Sequence, residues 1–133
     1  MQLTTTTDYG TKIICYLAQN KGMVSATILS SKLGIPMNYI FKVTKLLKSA
    51  NLIQSIDGQK GGYALAKAAN EITVLDITMA TEKTMHLIHC LGDDKYCSSD
   101  EKKHCKIRLF YEELESIVYD KMSITIEDLM IKE

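Results

Sequence analysis

The sequence predicts a mainly helical chain in which three helices lead into a small β-hairpin and further helices follow. Three observations carry this expectation. Apolar residues recur at helical spacing along most of the 133 residues. Three of the seven glycines fall within residues 57–62, between two short apolar runs, as a hairpin turn requires. A single proline and few strand-like runs leave helix as the dominant state. The hydrophobic share of 46% and charged share of 24% argue against disorder. No apolar run approaches the roughly 20 residues that span a bilayer, and the first residues lack a basic stretch followed by an apolar one. A cytoplasmic protein without a membrane partner is the expectation.

The first helix is placed at residues 4–20. Thr5 is its expected cap, with Asp8 closing a capping box three residues later. Ile13, Ile14 and Leu17 form an apolar stripe, Gly10 allows close packing, and Cys15 is read as a core residue. Ser25 caps a second helix over 26–33, with Ile28, Leu29 and Leu33 expected to face inward. Gly34 supplies the left-handed residue beyond it, and Pro36 sits just before a third helix over 37–50. Ile40, Val43, Leu46, Leu47 and Ala50 share one face of that helix. Asn38, Phe41, Lys42, Lys45 and Lys48 share the other, and Asn51 ends it in a left-handed turn. Leu52–Ile56 and Tyr63–Ala66 pair around the glycine-rich turn.

Beyond the hairpin, Thr73 and Asp76 open a helix to about Lys83, and Thr125 opens a last short one. Residues 89–105 read as an irregular loop. A longer helix over 103–121 carries Ile107, Phe110, Leu114, Ile117 and Val118 as a stripe without an obvious partner in the chain. Self-association through a C-terminal dimerisation helix is the economical expectation. The whole is a winged helix-turn-helix with a hairpin wing. Residues 1–70 form the head, and 71–133 hold the cysteine-bearing loop and the dimerisation helices.

A formal net charge of zero conceals a split. Residues 1–70 hold eight lysines and two acids, a net of +6, whereas residues 71–133 hold eight basic residues and fourteen acids, a net of −6. The first half is suited to a polyanion. A reading helix needs polar and basic side chains near its N-terminus, where Met37, Asn38, Phe41 and Lys42 stand. Asparagine can pair with adenine and lysine with guanine acceptors, while Lys45 and Lys48 are placed for phosphates. Gln59 and Lys60 lie at the wing tip, and Ser25, Tyr39 and Gly61 complete the candidate contact set for double-stranded DNA. The only arginine is Arg108, so the head lacks a forked guanidinium for base reading. No nucleophile–base pair with supporting spacing points to an enzyme.

Cys90, Cys97 and Cys105 fall in the irregular stretch as C-x6-C-x7-C. Three thiols on one loop can hold a soft metal or an iron–sulfur cluster, although the spacing is not specific. A fourth ligand would come from His86, His89, His104 or, remotely, Asp8, whose competing role is the capping box.

The chain resembles a known family on Leu3-Thr4, Thr7-Asp8-Tyr9, Ile35-Pro36-x-x-Tyr39-Ile40, Leu46-x-x-x-Ala50-x-Leu52-Ile53-x-Ser55, Gly58-x-x-Gly61-Gly62-Tyr63-x-Leu65-Ala66 and Ile72-Thr73-Val74-x-Asp76-Ile77. These segments are similar to the dimeric winged-helix regulators of the Rrf type, across nearly the whole chain. The resemblance implies a homodimeric transcriptional regulator, most simply a repressor, on a palindromic promoter site. It implies that Cys90, Cys97 and Cys105 match the cysteines that hold a 2Fe–2S or 4Fe–4S cluster sensing nitric oxide, redox state or cluster supply. It also implies that Asp8 matches the acid that supplies the extra ligand from the other subunit in the nitric-oxide branch. The departures are longer cysteine spacings, Asn51 for a usual glycine and no wing arginine. The alternative is a regulator of the same fold without a cluster, responding to a small ligand or protein partner.

Overall fold

Local chemistry sets each element boundary in the computed structural model of the chain, which describes residues 1–92, 97 and 105–132. Helix α1 spans Thr5–Gln19, and its cap is Thr4 rather than Thr5. The Thr4 hydroxyl accepts the Thr7 N–H at 3.4 Å. The choice among adjacent threonines is made from 78 residues away. Glu82 Oε1 accepts from the Thr4 N–H at 2.7 Å and from the Thr4 and Thr7 hydroxyls at 3.0 and 2.7 Å. The capping box expected of Asp8 does not form, because with Thr4 as the cap its position falls to Thr7; Asp8 accepts from Lys12 Nζ at 2.8 Å.

The backbone N–H of Thr4, with the two hydroxyls, holds the Glu82 carboxyl below the ordinary glutamate range. Its contribution to stability is therefore complete above the unfolded value, about 4.3. It is lost as pH falls through the lowered folded value. Thermal unfolding followed against pH is expected to show this acid loss in the wild type and a weaker one in Glu82→Gln.

Helices α2 (Ala26–Leu33) and α3 (Met37–Ser49) form the helix-turn-helix. Ser25 Oγ accepts the Ile28 N–H at 3.2 Å, and Gly34 adopts φ +67° after α2. Asn51 turns the chain after α3 at φ 60°. Ile28 departs from expectation. It is exposed, because Leu29 and Leu33 define the inward face of this short helix and Ile28 lies on its flank.

Strands β1 (Ile53–Ile56) and β2 (Gly62–Leu65) pair antiparallel, with Ile53 opposite Leu65 and Ile56 opposite Gly62. Val24 adds one further rung. Its N–H donates to the Tyr63 carbonyl at 2.9 Å, and the Tyr63 N–H donates back at 2.8 Å. The wing is thereby clamped to the residue just before the α2 cap.

Helix α4 (Val74–Thr81) opens with the complete Thr73–Asp76 box, both bonds at 3.0 Å. Helix α5 spans Lys106–Met122, and α6 spans Ile126–Ile131 under a Thr125 cap. Thr73 and Thr125 form an isolated bridge, and the Ile126 N–H reaches the Ile72 carbonyl at 2.8 Å. These links fold the end of the chain back onto α1. The core therefore draws on both sides of residue 70: Ile13, Ile14, Leu29, Ile40, Val43 and Leu47 pack with Ile72, Ile77 and Ile126, all essentially without exposure. Gly10 lets the helices approach closely there, since a Cβ would stand 3.2 Å from Thr81 Cγ2 and 3.4 Å from Ile77 Cγ2. Cys15 packs on this core but is only partly buried.

Helix α5 seats one edge on the segment that follows α4. Glu115 is its buried residue, and its carboxylate accepts the Leu87 N–H at 2.7 Å and faces His86 Nδ1 at 3.3 Å. The expected stripe splits across this seat. Leu114 and Val118 are half-buried, whereas Ile107, Phe110 and Ile117 remain well over half exposed at 67%, 59% and 65%.

Candidate nucleic-acid interface

Helix α3 is amphipathic with a clean division. Ile40, Val43, Thr44 and Leu47 are buried, while Met37, Asn38, Phe41, Lys42, Lys45 and Lys48 are exposed. The division follows from the helical period, which turns every third or fourth residue to one side. Pro36 precedes the helix without a side-chain cap, so the first turn carrying Met37 and Asn38 stands open. Two lysines are positioned by neighbours. Lys48 Nζ donates to Ser55 Oγ on β1 at 2.8 Å, tying the reading helix to the wing. Lys42 Nζ lies 5.7 Å from the Tyr39 ring centroid, and Tyr39 meets Tyr9 edge-to-face at 5.4 Å. Tyr39 is itself half-buried and is backed from α1 by Tyr9, so its ring supports Lys42 within α3.

Gln59 and Lys60 are exposed at the wing tip beside Asp57. The tip is a tight turn in which the Gly61 N–H reaches the Gly58 carbonyl at 3.0 Å. Ser25, Phe41, Ser55 and Gly61 line one cleft of about 300 Å³ between α3 and the wing. The structure thus gathers Ser25, Phe41, Lys45, Lys48 and the wing on one side of the head. Sequence reasoning missed the positioning roles of Val24, Tyr63 and Tyr9, which hold the wing and the reading helix in place. A single-rung pairing leaves no alternation to read, and an aromatic contact between helices leaves no local pattern.

Cys90 stands in a 3₁₀ turn at His89–Leu91, and Cys105 immediately precedes α5 as its N-cap. Both are half-buried, as are Cys15 and Cys97, and none of the four is in a disulfide. The donor chemistry, three thiols along one segment, fits a thiophilic centre. Among the described residues, no three His, Cys, Asp or Glu side chains converge as a site for a single metal ion. His104 lies outside the described residues. His86 is turned to Glu115, and Asp8 is exposed and paired with Lys12, an i,i+4 ion pair worth little in water.

Residues 3–132 match the Rrf2 family model, described as an iron-dependent transcriptional regulator. The chain belongs to the Rrf2 family. This Rrf2 chain is 31% identical over 133 residues to Protein rrf2 of Nitratidesulfovibrio vulgaris, covering 98% of this chain and 87% of that one. It is 31% identical over 137 residues to the HTH-type transcriptional regulator NsrR of Shouchella clausii, covering 100% and 91%. Its fold matches the structure of CymR, the global cysteine regulator of B. subtilis, with a TM-score of 0.79 and 25% identity over 97% and 95% of the two chains. As an Rrf2 protein it is a DNA-binding transcriptional regulator and not an enzyme. Among the described residues, no helix is long and apolar enough to cross a membrane.

Proposed function

We propose that this chain is a cytoplasmic homodimeric repressor whose grip on a palindromic promoter is set by an iron–sulfur cluster on Cys90, Cys97 and Cys105. The observation that carries the DNA-binding half is the exposed face of α3, with Asn38, Lys42, Lys45 and Lys48 beside a clamped wing. Asn38 and Lys42 near the helix start read base edges, and Lys45 and Lys48 meet phosphates. The wing tip, through Gln59 and Lys60, reaches the neighbouring backbone or minor groove. The exposed Ile107, Phe110 and Ile117 of α5 support dimerisation, since burying them on a second copy removes a large apolar surface from water. The two parts of the chain divide the work accordingly: residues 1–70 supply the reading helix and the wing, and 71–133 join the copies and sense.

The sensing half rests on the three thiols and on the likeness to NsrR. Asp8 of the other subunit is the proposed fourth ligand, freed from Lys12 at little cost. When bound, such a cluster supplies a centre that reacts with nitric oxide and oxidants. The chain's part is mechanical. Cys105 caps α5, so its position sets the start of the dimer helix. Glu115 on that helix holds Leu87, three residues before Cys90. A change in the thiol segment therefore acts on the seat of α5 and on the relative placement of two reading helices. Those helices must meet grooves about 34 Å apart, so a shift of a few ångströms lowers affinity.

The test is the visible spectrum of anaerobically purified protein, with gel shifts before and after nitric oxide. A coloured protein that loses DNA affinity on treatment is expected, with colour absent in Cys97→Ser. A colourless protein with unchanged affinity would leave the reading without a cluster, in which a small ligand or protein partner sets the response.

A further inference from the structure

We infer that Lys83, with Thr6 and Thr84, forms a second phosphodiester grip on the far side of α3 from the wing. The inference rests on the proposed docking of α3 in a major groove. That groove is about 12 Å wide and bounded by a sugar–phosphate backbone on each side. A helix seated in it needs a protein surface at both flanks to be held in register. On one flank, Phe41, Lys45 and Lys48 share a cleft with Ser55 and Tyr63 of the wing. On the other, Lys42 and Leu46 face a larger cleft of about 580 Å³. Its opposite wall is made by Thr4 and Thr6 at the start of α1 and by the segment 80–84 at the end of α4.

This second cleft offers the chemistry that a phosphodiester takes. Lys42 and Lys83 supply charge, both exposed. Thr6 and Thr84 supply hydroxyl donors. Glu82 also lines the cleft, and its carboxylate is the group that opposes an anion there. Its Oε1 is already engaged by three donors from Thr4 and Thr7, and the two lysines leave the cleft with a net positive charge. Lys83 belongs to the acidic half of the sequence, where charge counting finds no DNA contact. Folding moves it there, because α4 packs along α1 and α3 and delivers its C-terminal end beside Lys42.

The experiment is fluorescence anisotropy of the full chain on a duplex selected by the wild type from a random pool, over a salt series. Lys83→Ala is expected to flatten the slope of log affinity against log salt by about 0.9 and to weaken binding roughly 3- to 10-fold near 0.1 M salt. Base preference should be unchanged, and Lys83→Arg should keep the wild-type slope. A Lys83→Ala slope equal to the wild type overturns the inference if Lys45→Ala still flattens it. If Lys45→Ala is unchanged as well, the proposed α3 interface falls together with it.

Discussion

Replacing Lys45 and Lys48 together with alanine is expected to weaken binding to duplex DNA roughly 30- to 100-fold near 0.1 M salt. Both side chains are exposed on the face of α3 that shares a cleft with the wing. Each phosphate left without its lysine takes about 0.9 from the slope of log affinity against log salt, so the pair should remove about 1.8. Neither residue carries core packing. Lys48 gives up only its exposed bond to Ser55, so stability should stay within about 0.5 kcal/mol. Titrations across a salt series, with a thermal melt as control, measure both quantities. A double variant that keeps the wild-type slope would remove α3 from the interface.

Gly62→Ala is expected to disrupt the clamp that holds the wing to the head. Gly62 adopts φ +152°, and a Cβ there would stand 2.4 Å from the Val24 carbonyl oxygen and 2.6 Å from its carbon. Those are backbone atoms of the strand fragment that clamps the wing, so no side chain can swing aside. Relief requires parting the paired Val24–Tyr63 bonds of 2.9 and 2.8 Å. Breaking two hydrogen bonds at about 1 kcal/mol each, with residual backbone strain, gives a cost of about 3 kcal/mol. For a chain of this size that is a fall of about 10 °C in Tm. Gly58→Ala is the control, since Gly58 has φ +113° but open space around it. It should show backbone strain alone and a smaller fall. A Gly62→Ala protein melting within about 2 °C of the wild type would show that the clamp yields freely.

The parts of this fold that are legible in the sequence are those written in local chemistry. Ser25, Thr73 and Thr125 cap helices where expected, and Gly34 and Asn51 turn left-handed where expected, because each effect lies within four residues of its cause. The faces of α3 are legible because thirteen residues hold one period. What stays hidden is decided at long range. The first cap is Thr4 rather than Thr5 because Glu82 selects among a run of threonines. Ile28 is exposed because α2 is too short for its own pattern to separate face from flank. The α5 stripe reads as one surface in the sequence, but Glu115, a charged residue, is the one that α5 buries. A buried carboxylate satisfied by a backbone N–H in another element cannot be found from periodicity. The candidate cysteines are visible by residue type alone, since thiol chemistry needs no fold to be recognised, whereas their ligand partners depend on it.

Selection of duplexes from a random pool, followed by sequencing, tests the assignment of α3 as the reading element most directly. The wild type is expected to enrich a palindrome whose half-site centres lie one helical turn, about 34 Å, or a multiple of it apart. Asn38→Ala is expected to lose preference at one position in each half-site, whereas Lys45→Ala should enrich the same sequence more weakly. Enrichment of an identical sequence by Asn38→Ala, or no symmetric site from the wild type, would contradict it.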